Sequence, residues 1–315
     1  MEIKIALESD TQGLELFGPA DRHLRLVREA TGVMVTARNG SVTVSGDPED
    51  VKAAAEVIDR MQRRLIERGR LNETDVQEMI ERVRNAVEPS PMGALTVYSH
   101  KGVIEPFTKG QLRYIETMLA NDLTFCIGPA GTGKTYVAVA MAVSMLKKRQ
   151  IRKIVLARPA VEAGERLGFL PGDMQAKVNP YLRPLFDSLE DMMEFAQMRK
   201  FIETDVIEVI PLAFMRGRTL NEAAIICDEA QNTSPTQMLM FLTRMGRGSK
   251  TIITGDVTQV DLERGRVSGM IDAVRTLEGI AGIGFVKLDE ADIVRHRLVQ
   301  NIVNAYEKRK KARSE

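Results

Sequence analysis

Residues Gly128-Pro129-Ala130-Gly131-Thr132-Gly133-Lys134-Thr135 combine spaced glycines with a lysine and a hydroxyl. That combination suits one kind of chemistry, the cradling of a phosphate chain. Glycines let backbone N–H groups turn inward around phosphate oxygens. A lysine so placed reaches the β- and γ-phosphates, and the hydroxyl after it holds Mg²⁺. Lys134 and Thr135 occupy those two places. The stretch follows an apolar run, Leu123 to Ile127, and precedes Tyr136 to Leu146, which is rich in Ala, Val and Met. Strand, glycine loop, helix is the context such a site needs, and the helix N-terminus adds a field that favours anions.

Four further stretches carry groups that fit the same chemistry. Ala224-Ile225-Ile226-Cys227 is an apolar run that ends in Asp228-Glu229-Ala230-Gln231. A buried strand presents its terminal carboxylates at the carboxyl edge of a sheet, where ligands bind in open α/β folds. Asp228 is placed to hold Mg²⁺, directly or through water. Glu229 is placed to act as general base on the attacking water. Thr251-Ile252-Ile253-Thr254 likewise runs into Gly255-Asp256-Val257-Thr258-Gln259. Gln259 is a candidate to bind the γ-phosphate or orient water, with Asp256 supporting the metal's surroundings. Gln111, between Phe107 and Tyr114, offers a donor and an acceptor that suit an adenine edge. In Asp292-Ile293-Val294-Arg295-His296-Arg297, an arginine is available to neutralise charge on a transferring phosphoryl group. Arg158-Pro159 and Arg216-Gly217-Arg218 add basic groups beside predicted strand ends, suited to phosphates of a nucleic acid or of a nucleotide.

These groups need a scaffold of ordinary globular kind. The chain has 315 residues, enough for about two domains, with 44% hydrophobic and 28% charged residues. Net charge is +1, so no global field marks a nucleic-acid binder, although a local basic patch would suffice. Cys126 and Cys227 each sit in an apolar run and read as small core residues rather than a disulfide. His23, His100 and His296 are scattered, and no Cys/His cluster has metal spacing. The N-terminal stretch lacks the basic head and apolar core of a signal peptide, and no apolar run reaches bilayer length. A cytoplasmic protein is the expectation.

Residues 1–68 read as a small α+β domain. Ile3 to Leu7 alternates like a strand, and Leu14 to Phe17 is a candidate second strand. Pro19 to Ala30 has helical spacing. Val33 to Arg38 and Ser41 to Ser45 flank Asn39-Gly40, a strong hairpin signal. Pro48 opens a helix to Arg68 with Val51, Ala54, Val57, Ile58, Met61 and Leu65 on one face. Residues 69–100 read as a helical connector, Leu71 to Val87, followed by a Pro-rich linker through Glu88 to Gly93. From 101 to 306, predicted strands at Leu123–Ile127, Lys153–Ala157, Val206–Ile210, Ala223–Cys227, Thr251–Thr254 and Gly284–Leu288 alternate with helical segments. Such alternation predicts an α/β domain with a mostly parallel sheet. The Met192–Met198 run reads as core packing or a helical insertion, and residues 307–315 as a basic, solvated tail.

Residues 101–306 resemble the PhoH family. The resemblance rests on Gly128–Thr135, Ala157 to Glu165, Leu167 to Asp173, Pro211 to Thr219, Asp228 to Asn232 and Gly255 to Gln259. It implies a RecA-like P-loop NTPase core related to superfamily 1 helicases, dependence on ATP and Mg²⁺, and action on RNA. Residues 1–68 are similar to the family's KH-like region. KH modules clamp RNA with G-x-x-G, and here the corresponding string is Gly18-Pro19-Ala20-Asp21, whose aspartate would repel phosphate. Only one RecA-like lobe fits the chain, so the opposing arginine of a two-lobed motor is missing. A ring in which Arg295 or Arg297 reaches the neighbouring site would supply it. The resemblance also implies hexamers and cooperation with a YbeY-type endoribonuclease. Two functions follow as expectations: an ATP hydrolase that remodels RNA, or a nucleotide-gated oligomeric adaptor that recruits a nuclease without unwinding.

Overall fold

The computed structural model describes residues 1–7, 10–38, 40–85, 93–159, 174–263 and 265–294, with 299, 302, 303, 305 and 306. They divide into two compact units, residues 1–89 with 107–109, and residues 90–106 with 110–315.

The first unit is α+β. Its elements are β1 (Glu2–Ala6), α1 (Asp10–Phe17), α2 (Arg22–Thr31), β2 (Met34–Arg38), β3 (Ser41–Ser45), α3 (Pro48–Arg68) and α4 (Glu73–Arg84). The strands form an antiparallel sheet in the order β1-β3-β2. Val35, Val42 and Val44 on the sheet and Val57, Ile58 and Met61 on α3 share one core. Asp47 caps α3 by accepting from Glu49 N–H at 3.2 Å, Pro48 follows at the first helical position, and Gly69 ends the helix left-handed at φ 66°.

The strand expected over Leu14–Phe17 is instead the end of α1. Four residues are too few to separate the two periods, and the helix buries Leu16 while leaving Leu14 outside. α4, expected as part of a connector, is closed by an Asn72–Asp75 capping box and adds Val76, Met79 and Ile80 to the small core. Asn39 and the Pro-rich segment 86–92 lie outside the described residues, as does the tail from 307.

The second unit opens with a short antiparallel pair, β4 (Leu95–Thr96) and β5 (Val103–Ile104). Then come α5 (Lys109–Ala120), β6 (Leu123–Ile127), α6 (Lys134–Lys147), β7 (Lys153–Arg158), α7 (Met174–Met192), α8 (Phe195–Glu203) and β8 (Ile207–Pro211). β9 (Ala223–Cys227), α9 (Pro235–Leu242), β10 (Lys250–Gly255), α10 (Gly269–Leu277) and β11 (Ile283–Lys287) complete it. β6 to β11 form one parallel sheet in the order β11-β6-β10-β9-β7-β8. All six predicted strands are present, each within a residue or two of its expected bounds.

Alternation along the strands feeds two cores. Cys126, Ile154, Leu156, Ile226 and Ile252 face α6 and α7, while Phe125, Val155, Ile225, Cys227 and Ile253 face α9 and α10. Parallel strands covered on both faces read as continuous apolar runs, which is why they stand out in the sequence. Phe125 stacks on its register partner Phe285 at 5.3 Å, joining β6 to the edge strand β11. Met192, Met193 and Met198 are core residues. The two thiols are free and buried on opposite faces, and burial pushes both up in pKa. No helix among the described residues is long and apolar enough to cross a membrane.

Candidate nucleotide-binding site

Because β6, β7, β9 and β10 are parallel, whatever follows each of them emerges at one edge of the sheet. That edge holds the glycine loop after β6, Arg158 closing β7, Asp228-Glu229 after β9 and Asp256 after β10.

The loop is shaped by contacts that tolerate little else. Gly128 N–H donates to Gly255 C=O at 3.2 Å, and a Cβ at Gly128 would lie 2.8 Å from Leu288 Cβ. Gly131 and Gly133 are left-handed, at φ 87° and 76°. Thr132 is buried, and its hydroxyl donates to Pro129 C=O at 2.9 Å. Lys134 Nζ donates to the same carbonyl at 2.9 Å. Burial lowers the pKa of this ammonium below its ordinary 10.5, against the opposite pull of Asp256, Glu229 and Asp228. Gln111, expected at an adenine edge, is buried and donates to Thr132 C=O at 3.0 Å, so its amide props the loop.

Chain after β11 straps the loop from the other side. Leu288 N–H donates to Ile127 C=O at 2.8 Å, and Val294 N–H to Gly131 C=O at 2.9 Å. Asp292, also buried, accepts from Gly110 N–H in the first turn of α5 at 3.1 Å. Arg295 and Arg297 lie outside the described residues.

Thr135 and Asp228 meet directly. The hydroxyl donates to Asp228 Oδ1 at 2.6 Å, and Thr254 donates to the same oxygen at 2.7 Å. Asp228 N–H donates to Ala157 C=O at 2.9 Å, which fixes the carboxylate between β7 and β10. Glu229 takes a left-handed backbone, φ 52° and ψ 38°. Such a conformation in a non-glycine residue costs about 1–3 kcal/mol and turns this side chain out of the strand's alternation.

Glu229 is held at both oxygens. Arg158 Nη2 stands 3.3 Å from Oε1, and Gln231 Nε2 donates to Oε2 at 2.6 Å. Gln231 is fully buried, donates also to Gln259 C=O at 3.0 Å, and accepts from Asp256 N–H at 3.0 Å. Gln259 is thus tied through its backbone while its side chain is exposed. Asp256 Oδ1 accepts from Thr258 N–H and hydroxyl at 2.9 and 2.6 Å. Its other oxygen is buried without a hydrogen-bond partner. A buried orphan oxygen within electrostatic reach of Lys134, at the edge that also holds Asp228, fits a site that receives a hydrated cation. Among the described residues, no cluster of three or more His, Cys, Asp or Glu is set to hold a metal alone. Thr135 and Asp228 therefore suit a cation that phosphates also ligate. The ties made by Gln231, Thr254, Asp292 and Val294 were not foreseen; only Gln231 carried a signal, its place directly after Asp-Glu-Ala.

Parallel six-stranded sheet, glycine loop and strand-end acids together define the fold class of P-loop nucleoside triphosphatases, built on a RecA-like core. The chain matches the family described as "PhoH-like protein" over residues 103–307, and it belongs to that family. It is 46% identical over 307 residues to the PhoH-like protein of Bacillus subtilis (strain 168), covering 96% of each chain. It is 48% identical over 294 residues to that of Mycobacterium bovis, covering 92% of this chain and 84% of the relative. With the protein PhoH of Escherichia coli K12 it shares 40% identity over 200 residues, 63% of this chain and 56% of the relative. Among solved structures, the UvsW helicase of bacteriophage T4 aligns at 12% identity and TM-score 0.40, covering 74% of this chain and 78% of that one.

Proposed function

We propose that this protein is a Mg²⁺-dependent ATP hydrolase of the cytoplasm that couples turnover to the binding or remodelling of RNA. The observation that carries the hydrolase reading is the 2.6 Å contact between Thr135 and Asp228, with Lys134 and Glu229 on the same edge. Thr135 and Asp228 would hold Mg²⁺, which supplies charge neutralisation on the phosphates. Lys134 exchanges its bond to Pro129 for the β- and γ-phosphates. Water attacks the γ-phosphorus, the bond to the bridging oxygen breaks, ADP leaves, and Glu229 takes the water's proton. Gln259 senses the γ-phosphate, and Arg295 or Arg297 completes the site of a neighbouring subunit in a hexameric ring. Support for RNA comes from family membership and from basic groups at the carboxyl edge.

Glu229→Gln tests this. Nucleotide affinity is expected to persist while turnover disappears; turnover at the parent rate would remove Glu229 from its role. The second reading, a nucleotide-gated adaptor for a nuclease of YbeY type, is favoured by the single RecA-like sheet among the described residues. ATP hydrolysis without displacement of a tailed duplex would select it.

A further inference from the structure

Arg158 takes no part in shaping the glycine loop, yet among the described residues its guanidinium is the cation that pairs with the proposed base. Nη2 lies 3.3 Å from Glu229 Oε1 and Nη1 4.0 Å from Asp228 Oδ2. Nη1 also donates to Tyr181 C=O on α7 at 3.0 Å, so the side chain spans from α7 to the two acids. With Gln231 donating to Oε2 and the guanidinium ion-paired at Oε1, each oxygen of Glu229 already faces a partner. A base so engaged is drawn toward the guanidinium and away from water on a γ-phosphate.

We propose that Arg158 is a positioning residue that clasps Glu229 at rest, and that a phosphodiester of single-stranded RNA competes for its guanidinium and releases the base. The proposal rests on the RNA-coupled ATPase reading. Arginine binds phosphate as readily as carboxylate, so a phosphodiester is a direct competitor for the Nη2 that faces Glu229. The surface beside it suits such a strand. Arg158 pairs in register with Pro211 at the end of β8. The turn that follows carries Phe214, 57% exposed, and then exposed Arg216. An open phenyl ring beside arginines is the combination that stacks bases and follows a phosphate backbone. After release, Gln231 still holds Oε2 and leaves Oε1 free, so the base is freed without being lost.

The test uses the full chain, with Arg158→Gln and Arg158→Lys. ATP turnover, affinity for a fluorescent ATP analogue and affinity for poly(U) are measured for each, with and without poly(U) in the turnover assay. The parent is expected to turn over slowly and to speed up with poly(U). Arg158→Gln is expected to raise basal kcat about five- to tenfold, the low end of ordinary coupling between sites. Its KM stays close to the parent's, poly(U) binds it more weakly, and poly(U) no longer stimulates it. A fall in basal kcat at unchanged nucleotide affinity would make Arg158 a catalytic cation and overturn the clasp. Unchanged basal rate with stimulation intact would overturn it equally and leave the ATPase reading standing. If the parent itself never hydrolyses ATP, the ATPase reading fails and takes the clasp with it. Should Arg158→Gln unfold, Arg158→Lys carries the test, since an ammonium does not replace the guanidinium and partial release is expected.

Discussion

Replacing Gln231 with leucine separates alignment of Glu229 from its restraint. Leucine fills a comparable volume in a fully buried place but offers no partner to three groups. Asp256 N–H loses its acceptor inside the protein, at a cost of about 1–3 kcal/mol. Gln259 C=O is only partly buried and recovers water, so its loss is about 0.5–1 kcal/mol. The bond to Glu229 Oε2, on a side chain 35% exposed, adds about 1 kcal/mol. A total of about 2.5–5 kcal/mol corresponds to a fall of about 5–20 °C in the unfolding midpoint of a domain this size. Turnover is expected to drop about 10- to 100-fold, because a base misplaced by about an ångström loses that much. Scanning calorimetry and a phosphate-release assay read the two effects, with nucleotide affinity as control. A midpoint within about 2 °C of the parent, with turnover intact, would refute the claim that Gln231 ties the acid pair to the loop after β10. Gln231→Leu and Arg158→Gln thus move turnover in opposite directions, although both remove a donor from the same carboxylate.

Other substitutions test the rest of the site and scaffold. Gly133→Ala forces a side chain into φ 76° and to 2.8 Å from Gln111 Nε2; weaker nucleotide binding is expected, read by titration of a fluorescent analogue. Thr135→Val removes the hydroxyl that meets Asp228; nucleotide binding should lose its dependence on Mg²⁺, seen by repeating the titration with a chelator. Gly18→Ala places a Cβ 2.7 Å from the His23 ring at φ 70°, and faster amide exchange in α2 is expected. Glu208 accepts both arms of Arg218 at 2.8 Å and Lys153 at 2.6 Å, and the Arg218 bonds hold its carboxyl below the ordinary 4.5. Its contribution is therefore full above pH 4.5 and is lost as pH falls through the lowered value. Glu208→Gln should flatten the acid limb of stability against pH, followed by unfolding midpoints.

The central parallel strands β6, β7, β9 and β10 were legible because burial on both faces forces unbroken apolar runs, and the glycine loop because close backbone approach demands glycine at Gly128 and Gly133. The β4–β5 pair escaped notice because two-residue strands have no period. α1 was misread for a related reason, four apolar-rich residues being compatible with either period. The clasp on Glu229 was illegible in a deeper sense. It depends on β7 lying beside β9, with β8 at the edge, a strand order that follows from crossover connections rather than from any local pattern. The bond from Gln111 to the loop backbone had no local signal either, because it depends on α5 packing beside the glycine loop.

The glycine loop leans on chain made much later. Leu288 and Val294 supply two of its backbone bonds, and β11 flanks β6 along its length. During synthesis, which runs from the N-terminus, the first unit can fold while these partners are still unmade. The nucleotide pocket takes its final form only after Val294 has left the ribosome, so a nascent chain stalled before that point would present a loop without its last two fastenings.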